Sequence, residues 1–105
     1  MTPIVHETAE DDLLRQVELY AKGGLPHIAR RFHAAAMDAI DKLAAMPAAG
    51  PPKHTDNPRL DGLRMWPVKG FAEFWVYSLA SAERVVVIRI LHSKRDIGAV
   101  LDETF

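Results

Sequence analysis

LRMWPVKGFAEFWVYSLASAERVVVIRILH, Leu63 to His92, decides the fold. It divides into three strand-like runs, Leu63 to Val68, Phe71 to Leu79 and Arg84 to His92, rich in β-branched and aromatic residues. Lys69-Gly70 and Ala80 to Glu83 separate them at hairpin spacing, so the runs predict an antiparallel meander. By simple alternation, Val86, Ile88 and Ile90 share one face of the last run, and Val85, Val87, Arg89 and Leu91 share the other. That strand is therefore apolar on both sides and expected in the middle of the sheet. In the middle run Phe71, Glu73, Trp75 and Tyr77 oppose Ala72, Phe74 and Val76, which puts aromatics on both faces. Most of these rings read as core, each contributing about 1.5–3 kcal/mol on burial. One face is left for a helix or strand of another chain to cover.

Working outward, residues 47–62 carry four prolines (Pro47, Pro51, Pro52 and Pro58) and two glycines, which excludes a regular helix and predicts a loop crossing to the sheet. Before it, Ile28, Phe32, Ala35, Ala36, Ala39, Ile40 and Leu43 recur at helical spacing between Pro26, suited to a first turn, and the stop at Pro47. An earlier helix over roughly residues 9–22 follows from Leu13, Val17, Tyr20 and Ala21. Thr8 and Asp11 resemble its capping box, and Gly23-Gly24 its stop. The short connection makes the two helices an antiparallel hairpin. Pro3 to Glu7 reads as a first strand. Ser93 with Asp96 reads as the N-cap pair of a short last helix bearing Ile97, Val100 and Leu101, which Lys94 and Arg95 would open. The expected class is α+β: a strand, a helix hairpin on a small, mainly antiparallel sheet, and a C-terminal helix, in one domain over residues 1–105.

The 105 residues are 49% hydrophobic and 26% charged with a formal net charge of -1, which suits a single globular domain. Cysteine is absent, so disulfides, thiolate metal sites and thiol catalysis are excluded. The five histidines lack metal-ligand spacing, the serines lack a nucleophile elbow, and no glycine-rich phosphate loop is present, so neither metal nor cofactor is expected. No basic segment followed by an apolar one opens the chain, and Arg89 interrupts the most apolar run. Signal peptide and membrane span are thus not expected, and the cytoplasm is the expected location. Near-neutral charge argues against a protein that grips nucleic acid through many phosphates. The one locally cationic stretch is Arg84 to Arg95, which contains Arg84, Arg89, His92, Lys94 and Arg95 and no acid.

With Arg64, that stretch forms a basic constellation able to hold a phosphate backbone or an acidic protein segment, with His92 available for proton transfer. A structural reading competes. In it Arg64 and Arg89 are partly buried and paired with carboxylates such as Asp61, Glu73 or Asp96, and His92 is a hydrogen-bonded strand end.

The element order, together with Pro26-(x)2-Ala29-(x)2-Phe32, Pro47-(x)2-Gly50, Leu60-(x)2-Leu63-Arg64 and the closing Arg89-(x)2-His92-(x)2-Arg95-Asp96, resembles the RelE/ParE toxin superfamily over nearly the whole chain. The closing block RILHSKRDI looks like the ParE branch. The resemblance implies the toxin half of a type II toxin–antitoxin module, associated with plasmid stabilisation and growth arrest. A cognate ParD-like antitoxin would neutralise it by wrapping the toxin with its C-terminal part, and the complex would bind operator DNA through the antitoxin. ParE-like relatives imply DNA gyrase as target; RelE-like relatives imply ribosome-dependent cleavage of messenger RNA, with Arg64, Arg89 and His92 in the site. Arg64 and His92 stand where an arginine and a histidine of some RNase members fall. The loop around Lys53 offers no matching glutamate, however, and Ser93 occupies the expected tyrosine position. The departure favours gyrase inhibition without an active site, with Arg89, His92, Lys94 and Arg95 as target-binding residues and Trp66, Trp75 and Tyr77 as antitoxin-binding residues. A toxin-derived fold without toxicity stands as a further class.

Overall fold

The apolar run at the end of the sheet region becomes the strand on which the rest is assembled. In the computed structural model, which describes residues 2–104, the elements are β1 (Pro3–Val5), α1 (Glu7–Lys22), α2 (Pro26–Ala45), a 3-10 turn (Pro58–Leu60), β2 (Arg64–Val68), β3 (Phe71–Ala80), β4 (Val85–His92) and α3 (Ile97–Thr104). The sheet order is β1-β4-β3-β2. The meander β2-β3-β4 is antiparallel, and β1 joins β4 in parallel from Pro3↔Val85 to Val5↔Val87. β4 is therefore an inner strand, as its two apolar faces require.

The sheet has a cover on each face. On one side the α1–α2 hairpin brings Ala9, Leu13, Phe32, Ala36, Ala39, Ile40 and Leu43 against Val68, Val76, Val85, Val87 and Ile90. On the other, Leu60 and Leu63 from the loop and Ile97 and Leu101 from α3 close over Tyr77, Ile88 and Leu91. The face of β3 that the sequence leaves for a partner is thus largely covered by the chain itself. On the hairpin side Phe32 meets both Phe71 and Phe74 edge-on, with ring centroids 5.0 Å apart, and Tyr20 lies tilted 5.7 Å from Phe32.

Strict alternation along β4 does not hold. Tyr77 pairs with Arg89 but Ser78 with Val87, so Ile88 is an extra residue that shifts the pairing. Val87 and Ile90 consequently face the hairpin together, while Ile88 and Leu91 face α3. A bulge changes the parity of every later side chain, and a period-two reading cannot anticipate it.

The ends of the helices also differ from expectation. β1 is only three residues long, because Glu7 already belongs to α1. The cap of α1 is His6, whose Nδ1 accepts the Thr8 amide at 3.2 Å. Thr8 does not form the box with Asp11; its hydroxyl donates to the Ile88 carbonyl at 2.6 Å. At the other end, Asp96, rather than Ser93, caps α3 by accepting the Ala99 amide at 3.2 Å. Lys94 and Arg95 lie in the turn before that helix, so they do not open it.

Two glycines are placed by geometry. Gly24, at φ +80, turns α1 into α2 and lets the Leu25 amide close on the Tyr20 carbonyl at 2.9 Å. Gly50 begins the segment that runs beside β2, where the Met65 amide donates to Pro51 at 3.0 Å and the Lys53 amide to Leu63 at 2.8 Å. A Cβ at Gly50 would stand 2.7 Å from the Met65 carbonyl oxygen, closer than such contacts permit. Gly50→Ala is therefore expected to destabilise the fold by about 1–3 kcal/mol through forced backbone shifts. A urea denaturation midpoint unchanged from the parent would show that the loop relaxes without loss.

Candidate functional site

The expected site residues divide between two parts of the sheet. Because the pairing of β1 with β4 stops at Val87, the outer edge of β4 beyond it has no strand partner, and α1 supplies polar groups instead. Asp12 is central to this. Its carboxylate takes the Arg89 guanidinium in a fork, Nε to Oδ2 at 2.7 Å and Nη2 to Oδ1 at 2.8 Å, and Oδ2 also accepts the Ile90 amide at 3.0 Å. The side chains of Arg89 and Asp12 are 11% and 5% exposed, so this ion pair is largely desolvated. The expected carboxylate partners, Asp61, Glu73 and Asp96, do not serve Arg89; Asp12, from the other end of the chain, does.

His92 ends β4 beside Phe74, with ring centroids 5.1 Å apart and nearly perpendicular. Its Nδ1 accepts the Lys94 amide at 3.0 Å, which leaves Nε2 as the N–H that donates to Glu73 Oε2 at 2.7 Å. The Ser93 amide donates to the Glu73 carbonyl at 2.6 Å, and the Arg95 amide to the His92 carbonyl at 3.0 Å. The turn bearing Lys94 and Arg95 is therefore tied to β3 and β4 by its backbone, while both cationic side chains stand in solvent. The hydrogen bond from His92, reinforced by the charges of His92 and Lys94, holds the exposed Glu73 carboxyl below its ordinary value of 4.5.

Arg64 is elsewhere. It lies opposite Ser78, whereas His92 lies opposite Phe74, four residues away along β3, or roughly 13 Å at strand spacing. Its Nη1 donates to the Gly50 carbonyl at 2.6 Å, which ties the loop to the sheet. The structure thus brings His92, Lys94 and Arg95 together, with Arg89 just behind them, and leaves Arg64 apart. Among the aromatics, Trp66 packs with the hairpin side and Trp75 with the α3 side, both half-buried. Tyr77 is 2% exposed, and burial pushes its phenol above the usual value.

Between α1, β3 and the turn after β4 lies a cleft of about 420 Å³, whose walls include Arg15, Tyr20, Phe74, His92 and Arg95. Sequence reasoning placed no α1 residue here. Asp12 was legible only as favourable charge near a helix N-terminus, yet it falls on the stripe Ala9, Leu13, Val17 that faces the core. An acid interrupting an apolar stripe is the signal that marks it. Among the described residues no group of histidine and acidic side chains is placed to hold a metal, and no helix is long and apolar enough to cross a membrane.

Asp12→Ala leaves a buried guanidinium and the Ile90 amide without their acceptor, and is expected to destabilise the protein by about 3–5 kcal/mol. Asp12→Asn, which keeps one acceptor oxygen, should lose less; equal midpoints for parent and Asp12→Ala in chemical denaturation would contradict this role. For Glu73 the folded value is depressed, so the stability it adds is present above pH 4.5 and is lost as pH falls through the folded value. Carboxyl NMR should place its titration midpoint below 4.5, and His92→Gln should move it back up.

The family model described as "ParE toxin of type II toxin-antitoxin system, parDE" matches residues 4–97. None of the curated proteins compared with the chain matches it significantly. Among solved structures, a chain of the chromosomal ParDE TA system from P. aeruginosa superposes with a TM-score of 0.72 at 19% identity, over 90% of this chain and 97% of that one. At that identity the superposition shows a shared fold, and the match to the family model covers everything from β1 to the start of α3. The chain belongs to the ParE toxin family of type II toxin–antitoxin systems.

Proposed function

We propose that this toxin arrests growth by docking on DNA gyrase and poisoning it, and that a ParD-like antitoxin neutralises it. The observation that carries the reading is the disposition of the basic groups. Cleavage of RNA at a 2′-hydroxyl requires a base, an acid and cations converging on one phosphate. Here Arg89 is engaged by Asp12, His92 by Glu73 and the Lys94 amide, and Arg64 by the Gly50 carbonyl far along the sheet. Lys94 and Arg95, by contrast, project from a backbone-fixed turn, an arrangement that favours contact with a large acidic surface. Docking needs complementary shape and charge rather than a reacting group, and Arg89 and His92 then act by holding the turn. Under this reading Trp66 and Trp75, each half-buried, contribute antitoxin contacts on their respective faces, with the enclosed Tyr77 supporting Trp75's face from within. The assembled pair would reach operator DNA through the antitoxin.

The test is controlled expression in a bacterium that lacks the antitoxin, with growth, a DNA-damage reporter and messenger RNA integrity scored in the same cells. Growth arrest with damage signalling and intact transcripts is expected. Double charge reversal, Lys94→Glu with Arg95→Glu, should relieve arrest while leaving the fold intact. Cleaved transcripts without an early damage signal, abolished by His92→Gln, would transfer the function to RNA cleavage, and unimpaired growth would remove toxicity in that host.

A further inference from the structure

The outward face of α2 carries its charges sorted by end. His27, Arg30 and Arg31 lie in its first two turns, where there is no acid, and Asp38 and Asp41 lie in its second half, all of them exposed. Neither placement gains from the helix macrodipole, which favours acids early and bases late, so helix stability does not select this order. On α1 the order is the favoured one, with Glu7 and Glu10 in the first turn and Lys22 in the last. Because the helices run antiparallel, the α1 acids stand at the same end of the hairpin as Asp38 and Asp41. Arg30, Arg31 and Asp41 have no ion-pair partner among the described residues. Asp38 meets Lys42 at 3.2 Å one turn on, a half-exposed pair of the kind that exchanges readily.

At the middle of this face stands Ala34, exposed and too small to hold a second helix away, with Met37 beside it at 38% exposure. We infer that the face binds a second copy of the same chain, the two α2 helices lying antiparallel and crossing at Ala34. Helical spacing fixes the register. Arg31, three residues before Ala34, and Asp38, four after it, fall on one side of the contact line, whereas Arg30 and Met37 fall on the other and His27 and Asp41 lie close to the line. A two-fold axis through the crossing keeps each side and reverses the direction along the helix. Arg31 therefore meets Asp38 of the second copy, His27 meets its Asp41, and the stem of Arg30 rests on its Met37. Each contact occurs twice, and the pair closes on itself.

A copy of the chain supplies the opposite sorting by construction, which an unrelated partner would have to match. A nucleic acid strand would suit the arginine half but meet Asp38 and Asp41 further along the same helix. One helix face is a small interface, so the dimer is a weak one, held by exposed charges and loosened by salt. None of these residues lines the cleft beside His92, and the inference does not rest on the gyrase reading.

Sedimentation equilibrium of the full chain at low salt, from about 10 μM to about 1 mM, should show reversible monomer–dimer exchange that high salt shifts to monomer. Arg31→Asp and Asp38→Arg each set like charges at both symmetry-related contacts and should weaken the dimer about tenfold or more. Both changes are exposed, and matching circular dichroism melts would show that the fold is kept. An equimolar mixture of the two variants should restore association, because each copy then meets an opposite charge at both contacts. A parent that stays monomeric throughout the range overturns the inference, as does a dimer that survives both substitutions or a mixture that fails to recover. So does a monomeric parent that binds a short DNA oligonucleotide and loses it with Arg31→Asp, since the face would then serve nucleic acid. Because association is read on the isolated chain, absence of gyrase poisoning in cells leaves this result untouched, and a monomeric chain leaves that reading untouched.

Discussion

The carboxylate of Asp12 carries an unusual share of the molecule's order. It is the acceptor for three donors from β4, two on the Arg89 guanidinium and one on the Ile90 backbone, and it comes from a helix 77 residues away in the chain. A short first strand leaves β4 half uncovered, and a strand edge inside a folded domain needs its amides and carbonyls satisfied. Helix α1 meets that need with side chains, Thr8 on the Ile88 carbonyl and Asp12 on the Ile90 amide, and thereby fixes its own height and rotation against the sheet. The cleft, the setting of His92 and the direction of the turn that follows all depend on where that helix lies.

Much of this architecture is readable from residue pattern. The three strands of the meander and the whole of α2 appear within a residue or two of their observed bounds, because each is specified by local periodicity and most of their ends, though not those of β4, are marked by proline or glycine. What local pattern cannot supply is anything decided by a distant partner. Thr8 is a good cap by composition, yet its hydroxyl serves the Ile88 carbonyl and His6 caps in its place. Ile88 looks like any other alternating residue until the pairing with β3 makes it a bulge. The role of Asp12 is written in no neighbouring residue, only in its position on an otherwise apolar stripe. The candidate site was legible as a cationic segment and illegible as a cleft, since α1 provides one wall.

The fold distributes the acid-free segment Arg84 to Arg95 unevenly, and the distribution bears on what a toxin of this family can do with it. Residues within β4 are tied inward: Arg89 to a buried acid, His92 to Glu73 across the strand. Those beyond the strand, Lys94 and Arg95, are tied only by their backbone. A structural half and a presenting half result, with His92 at the junction. Its ring uses both nitrogens, one toward each half, so the orientation of the presenting turn is registered against β3 through a single side chain.

The pairing of β1 with β4 has a consequence for how the protein comes into being. Residues 3–5 find their hydrogen-bonding partners at 85–87, so the earlier segment waits for one made about eighty residues later, and closing so long a loop carries an entropic penalty before any contact repays it. During synthesis α2 can meet β2 and β3 first, but α1 has no strand to rest on until β4 has emerged. The cleft and the cationic turn therefore arise together once β4 and the residues after it have been made, and a chain that stops short of β4 lacks both. Such a topology makes the appearance of both depend on one long-range pairing rather than on any local segment.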